Sequence, residues 1–339
     1  MERILVTGAG GYIGSVLVRL LLESGYMVRA LDRFFFGRQT LPQGNENLQI
    51  IQDDIRWMDN SVFKDIYAVI DLAALSNDPS GELDPQKTWE INHAGRVRVA
   101  KMAKANGVSR YIFPSSCSVY GFQEGLLDET SPVNPLTTYA KANYQAERDI
   151  LPLADNKFCV VVLRQATVYG FSPRMRFDLA INGMVKGLYK DGKIPVLRDG
   201  TQWRPFVHVK DTSRAMIVML KAPIDLINGQ VFNVGSDDQN YQILPLAKTT
   251  AEASGLEFKY EWYGSPDHRS YKVSFKKINQ ILGYQTIFNP FSGAKEVFEA
   301  LKNKTLDPDD PRTITVQWYK HLMEMQQFLR QIEIRGALL

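Results

Sequence analysis

The sequence is poor in the features that mark several large classes of protein. Cysteine occurs only as Cys117 and Cys159, which excludes a disulfide framework and suits a reducing compartment. The four histidines include His93 and His208, and neither offers ligand spacing, so no metal site is expected. A net charge of only +3 over 339 residues gives no electrostatic footing for nucleic acid. No apolar run approaches the ~20 residues that span a bilayer. The chain enters a strand almost at once, with no charged and apolar leader ahead of it. Internal repeats, low-complexity tracts and flexible linkers are missing too. A cytoplasmic globular protein is therefore expected. With 45% hydrophobic and 23% charged residues, it suits one large domain or two intimate ones.

What is present begins with Ile4 to Gly14, ILVTGAGGYIG. A short apolar run breaks at Thr7-Gly8, and a helical pattern follows through Ile13, Leu17, Leu20 and Leu21. This predicts a buried parallel strand turning directly into a helix. The spacing is T-G-x-x-G-x-x-G at Thr7, Gly8, Gly11 and Gly14. Glycine at these points permits a tight turn, close approach of a phosphate, and close packing of helix on strand. The helix N-terminus then faces a pyrophosphate with free N–H groups. A second strand, Met27 to Leu31, ends in Asp32, where a carboxylate accepts the adenosine ribose hydroxyls. The same carboxylate repels a 2′-phosphate, which favours NAD over NADP, although the adjacent Arg33 would tolerate one.

Further strands are expected at Leu48–Gln52, Tyr67–Ala74, Arg110–Ser116 and Phe158–Arg164. Helices are expected from Asp84-Pro85 to about Ala105, and from Thr138 to about Leu151. Alternation of apolar strands with helices predicts an α/β fold, a doubly wound parallel sheet of Rossmann type. Residues 1–170 would form it, with return segments near 205–235, and residues 171–339 would form a smaller mixed α/β domain. An amphipathic helix is expected at Thr313–Ile334. Phe34 to Phe36 form either a loop over the adenine edge or a packed apolar corner.

The glycine spacing, Ser116 ahead of Val119-Tyr120-Gly121, Tyr139 after Pro135-Leu136, and Arg204 to Asp211 (RPFVHVKD) together resemble the extended short-chain dehydrogenase/reductases. The likeness is greatest to the NAD-dependent nucleotide-sugar epimerases and dehydratases. It implies a nucleotide diphosphate sugar bound between a Rossmann domain and a C-terminal domain. It also implies roles by position. Tyr139 would be the catalytic base and Ser116 its hydrogen-bonding partner. Tyr12, Ile13, Asp32, Arg33, Asp54, Ile55, Leu72, Ala73, Ala74, Asn92 and residue 143 would line the cofactor beside the glycines. Arg174, Arg176, Arg204 and Arg269 would surround the substrate pyrophosphate, for which a guanidinium fork is suited. The two long helices would pair across a two-fold axis into a homodimer, through residues such as Trp89, Val97 and Tyr144.

Two departures stand out. The family pattern is Tyr-x-x-x-Lys, and here Asn143 occupies the lysine position. Residues four apart share a helix face, so Lys141 points elsewhere. An ammonium about 4 Å from a phenolate is worth roughly 4 kcal/mol at an effective dielectric near 20, or about three pKa units. The expectation is an impaired base. Cys117 and Ser118 also replace the aspartate and glutamate of the dehydratases, which argues against sugar 4,6-dehydration. Cys117 remains as a weak acid or a small buried residue. Epimerisation at C4 leads, with a 4-ketoreductase, a 4-dehydrogenase, or a protein that binds NAD and nucleotide sugar with little turnover as alternatives.

Overall fold

The computed structural model describes residues 1–265, 269–334, 336 and 337. Seven strands, β1 (Arg3–Thr7), β2 (Met27–Asp32), β3 (Leu48–Gln52), β4 (Ala68–Asp71), β5 (Arg110–Ser116), β6 (Cys159–Gln165) and β7 (Gln230–Val234), build one sheet. Their order is β7-β6-β5-β4-β1-β2-β3 and every pairing is parallel. The order reverses between β1 and β4, which opens a crevice beyond their carboxyl ends.

Side-chain alternation explains why both sheet faces are covered. Ile4 and Val6 join one cluster with Ile112, Val161 and Leu163, whereas Leu5 joins another with Phe113, Val160 and Val162. A strand apolar on both faces needs a layer on each. On the first face lie α1 (Gly14–Glu23), through Leu17 and Leu21, and a later helix (Val209–Lys221), through Met216 and Met219. On the second lie α2 (Arg96–Ala105), through Val99, Ala100 and Ala103, and α3 (Thr138–Ile150), through Ala146 and Ile150.

The remaining chain gathers around a second core. Met184, Val185 and Leu188 of one helix (Ala180–Asp191) meet Leu246 and Ala247 of another (Ile243–Ser254) and Val297 and Leu301 of a third (Pro290–Lys302). A last helix, α4 (Thr315–Ile332), follows them.

Three expectations change. The strand expected over Tyr67–Ala74 stops at Asp71, because Leu72 and Ala73 turn their N–H groups to the Thr7 carbonyl and hydroxyl at 3.2 and 3.1 Å. The helix expected from Pro85 to Ala105 is interrupted by a π-helical turn over Glu90–Gly95, a wide turn that recurs at functional sites. Of the return segments near 205–235, only β7 re-enters the main sheet. Trp203–His208 pairs instead with Thr167–Tyr169 and Asn240–Gln242 in a separate small sheet.

Candidate functional site

A cleft of about 930 Å³ opens at the crevice and runs between the two cores. Its floor is the glycine loop. A Cβ on Gly8, which has φ +65°, would lie 2.7 Å from the Leu72 and Ala73 backbone, and one on Gly14 would lie 2.2 Å from the Gly8 carbonyl. Only glycine lets the loop, β4 and α1 close this far. The start of α1 has no side-chain cap and no acid in its first turn, so its N–H groups are left to an anion.

Asp32 receives the Gly10 N–H at 3.0 Å and the Phe34 N–H at 2.6 Å, one on each carboxylate oxygen. Burial pushes its carboxyl up, while those two N–H groups and Arg174 oppose the rise. Each oxygen keeps a lone pair for a ribose hydroxyl. Asp54 stays below the usual carboxylate range: burial alone would raise it, but Arg56 and Arg33 outweigh that. Arg33, Asp54, Ile55, Leu72, Ala73 and Ala74 all line the cleft, as do Tyr12 and Ile13. Phe34 to Phe36 divide between the two roles. Phe34 is buried in the core, while Phe35 and Phe36 face the cleft.

The helix α4 closes this end. Trp318 donates its indole N–H to the Phe35 carbonyl at 2.7 Å, and Tyr319 packs against the rings of Phe35 and Phe36. Tyr319 lines the cleft, and no sequence signal beyond the amphipathic pattern of its helix pointed to it.

The chemical end of the cleft holds Tyr139 and Ser116. Ser116 ends β5, and its hydroxyl oxygen accepts the Ser118 N–H at 3.1 Å. That bond leaves the Ser116 proton to donate outward. Burial pushes the Tyr139 phenol up, and Arg96, ahead of a hydrogen bond from Ser116, pulls it back. Ser118 also lines the cleft, and its hydroxyl is buried without a hydrogen-bond partner among the described residues, as are Arg174 Nε and Gln202 Oε1. Orphaned polar atoms around a glycine cradle are the chemistry a dinucleotide and a second polar ligand would satisfy, so the residues fit NAD.

Several expected residues take other places. Cys117 is 1% exposed and directs its thiol to the Arg164 carbonyl at 3.2 Å in the core, and burial pushes it well above the usual thiol range. It is no acid for the cleft. Asn92 is fully buried, with both ends of its amide on the Leu75 backbone at 2.8 and 3.0 Å; it shapes the loop after β4 rather than lining the cofactor. Asn143 does not line the cleft either. It lies 1% exposed behind Tyr139, its Oδ1 accepting from Arg96 at 2.8 Å. Arg96 itself does line the cleft. The arginine, unnoticed in the sequence, sits one turn beyond Asn92.

The four arginines expected on the substrate divide as well. Arg204 and Arg269 stand together: Arg204 donates to the Arg269 carbonyl, and Arg269 pairs with Asp78. Arg176 is held in a two-pronged pair with Asp178 and reaches Ser76, so its charge is already met. Arg174 stacks 3.6 Å above Phe36 and donates to Thr315 at 2.9 Å, beside Asp32 and Tyr319. Burial and Arg176 lower it to about 10. It belongs with the Asp32 end. Among the described residues no group of acids, histidines and cysteines has metal-site geometry, and no helix is long and apolar enough to cross a membrane.

Comparison with known proteins agrees with this geometry. Residues 4–235 match the profile described as the NAD dependent epimerase/dehydratase family. A putative UDP-glucose 4-epimerase of Methanocaldococcus jannaschii is 30% identical, over 88% of this chain and 98% of its own length. Among solved structures, the UDP-glucuronic acid 4-epimerase of Bacillus cereus, in complex with UDP-glucuronic acid and NAD, is 27% identical with a TM-score of 0.81; the match covers 89% of this chain and all of that one. MoeE5 in complex with UDP-glucuronic acid and NAD is 28% identical with a TM-score of 0.80, over 89% of this chain and all of its own.

Proposed function

The chain belongs to the NAD-dependent epimerase/dehydratase family, and from that premise we propose that it inverts C4 of a nucleotide diphosphate sugar through a 4-keto intermediate. NAD supplies a hydride acceptor and donor. The protein's part is to move a proton and to hold the sugar. Tyr139 takes the proton from the C4 hydroxyl, and Ser116 donates a hydrogen bond to the same oxygen. When the ketone is reduced from its other face, Tyr139 returns the proton to the new alkoxide. Arg204 and Arg269 hold the diphosphate.

The observation that carries this reading is the pairing of Tyr139 with Ser116 in a cleft where positions 117 and 118 carry no carboxylate. Elimination of water across C5 and C6 needs an acid and a base beside the sugar. Here Cys117 is buried in the core and Ser118 is a hydroxyl. The names of the related 4-epimerases support C4. Residues 1–170 with β7 and the helix Val209–Lys221 form the NAD-binding part in this reading, and the rest of the chain from 171 onward, Arg174 and α4 apart, faces the sugar nucleotide across the cleft from Tyr139 and Ser116.

Purification with bound NAD and assay against a panel of UDP- and dTDP-hexoses tests it. Conversion of a 4-epimer pair without net consumption of NAD is expected. Release of a 4-keto-6-deoxy product would overturn it.

Two finer points belong to the same reading. The exposed Trp89, packed on His93, lies on one of the two helical segments that would pair in a homodimer, and a monomeric mass in light scattering would exclude that. Cys117 and Cys159, both buried and unpaired, suit a cytoplasmic setting.

A further inference from the structure

We propose that the Arg96 guanidinium is the cation that serves Tyr139, so that Arg96 and Asn143 together replace the lysine of the family pattern. This rests on the reading of Tyr139 as the base.

The first ground is the company Arg96 keeps. Only 3% of it is exposed, yet its partners are neutral: the Ala73 carbonyl at 2.9 Å, Asn143 Oδ1 at 2.8 Å, the Asp71 carbonyl at 3.5 Å and the ring face of Phe113 at 4.9 Å. Among the described residues it has no ion pair with a carboxylate. The Asp71 carboxylate is nearby but accepts from Thr7 and from Tyr111. A guanidinium does not shed its proton in a protein. A full charge therefore stands in a dry place at the wall of the cleft, hydrogen-bonded among the described residues to carbonyls and one amide, with the Asp71 carboxylate in its field.

The second ground is position. Tyr139 and Asn143 lie four apart on α3, a separation that brings their Cβ atoms to about 5–6 Å. The guanidinium that bonds Asn143 thus lies beside the turn of α3 that carries Tyr139, and Arg96 and Tyr139 both line the cleft. The charged groups acting on the phenol are Arg96 and Arg176, which favour phenolate, and Asp78, which opposes it; Arg96 is the strongest of the three.

The third ground is exclusion. A lysine at 143 would push its ammonium into the space and the field of the guanidinium. A short neutral amide instead accepts the Arg96 fork through Oδ1. Asparagine at 143 is then the complement of Arg96 rather than a loss. The impaired base expected from the sequence does not follow. Arg96 acts through Tyr139 without touching the sugar, and is in that sense a positioning residue.

The test is phenolate titration near 295 nm on the full NAD-loaded protein, with Tyr139→Phe as the blank. Arg96→Met should move the Tyr139 ionisation up by about one to two pH units. The acid limb of kcat should move the same way, and kcat near neutrality should fall ten- to a hundredfold with KM for the sugar nucleotide little changed. Arg96→Lys should keep most of the wild-type titration. The double variant Arg96→Thr/Asn143→Lys should restore it, and stands in if Arg96→Met does not fold. An unchanged titration in Arg96→Met, or a folded double variant still titrating high, would overturn the proposal. If Tyr139 shifts as expected while no nucleotide sugar turns over, the role of Arg96 stands and the proposed reaction fails.

Discussion

Trp318 and Phe35, 283 residues apart in sequence, share a hydrogen bond from the indole N–H to the backbone carbonyl at 2.7 Å. It ties the last helix to the loop that follows β2, whose Phe34 N–H bonds Asp32. Tyr319, the next residue, packs on both Phe35 and Phe36 and lines the cleft, and Arg174 joins the same helix to Phe36.

The first prediction follows from that tie. Trp318→Ala removes one hydrogen bond and an aromatic anchor, and a net bond is worth about 0.5–1.5 kcal/mol. NAD should bind roughly three- to tenfold more weakly, chiefly through faster release, in calorimetry and stopped-flow fluorescence. Tyr319→Ala should do more, since it also removes part of the cleft wall. Unchanged affinity in both variants would mean that the helix lies over the site without closing it.

Asp32 supports a second prediction. Its carboxylate is held by two N–H groups and stands beside Arg174 and close to Arg33. Asp32→Ala loses the acceptors for the ribose hydroxyls and removes that carboxylate from beside Arg174, while Arg33 stays paired with Asp54. NAD should weaken while NADP tightens, so that the ratio of their dissociation constants moves by at least tenfold toward NADP. Tighter binding of NADP to the unaltered protein, read by calorimetry, would contradict the argument at its start.

The fold was legible because its signals are local. Ile4-Leu5-Val6 before Gly8, and Asp32 at the end of β2, each report their own surroundings, and both lie where the sequence placed them. The residues misread are those whose meaning depends on a distant partner. Cys117 beside Ser116 looks available, yet the chain leaves β5 at Ser116 and turns into a short 3-10 helix that sends the thiol to the Arg164 carbonyl in the core. Asn92 looks like a ligand until Leu75 uses both ends of its amide. Asn143 looks like a deficit until Arg96, 47 residues earlier, is found on its oxygen. One sequence does not display such pairings, because a helix-to-helix contact leaves no spacing rule behind it.

A third prediction concerns acid stability at the junction of the two cores. Glu296 accepts from His208 at 2.9 Å and from the Phe171 N–H at 3.2 Å, and pairs with Lys210. His208 Nδ1 already accepts the Lys210 N–H, so Nε2 carries the proton donated to Glu296. Burial would raise the Glu296 carboxyl, but these donors bring it down from 4.5 to about 2. A depressed folded value gives stability that is complete above about 4.5 and is lost as pH falls through about 2. Glu296→Gln should cost about 3 kcal/mol at pH 6, and the gap to the unaltered protein should close toward pH 2. Parallel stability curves from urea melts would rule the coupling out.

The last prediction separates chemistry from binding. If Tyr139 moves the proton and Arg204 with Arg269 holds the diphosphate, then the two kinds of change should fail in different ways. Tyr139→Phe removes the phenol oxygen and little else, so kcat should fall by at least a hundredfold while the protein still binds NAD and nucleotide sugar. Arg204→Ala should instead raise KM for the nucleotide sugar ten- to a hundredfold, since charge-assisted bonds to a diphosphate contribute roughly 1.5–3 kcal/mol. Its ring contact with Tyr271, at 5.3 Å, is also lost, so Arg204→Lys serves as the control that keeps charge without the fork. Binding of the free nucleoside diphosphate, measured by calorimetry, should follow the arginine and ignore the tyrosine. A Tyr139→Phe variant with full turnover would remove the phenol from the mechanism. An Arg204→Ala variant with unchanged KM and unchanged nucleoside diphosphate binding would move the diphosphate to another part of the cleft.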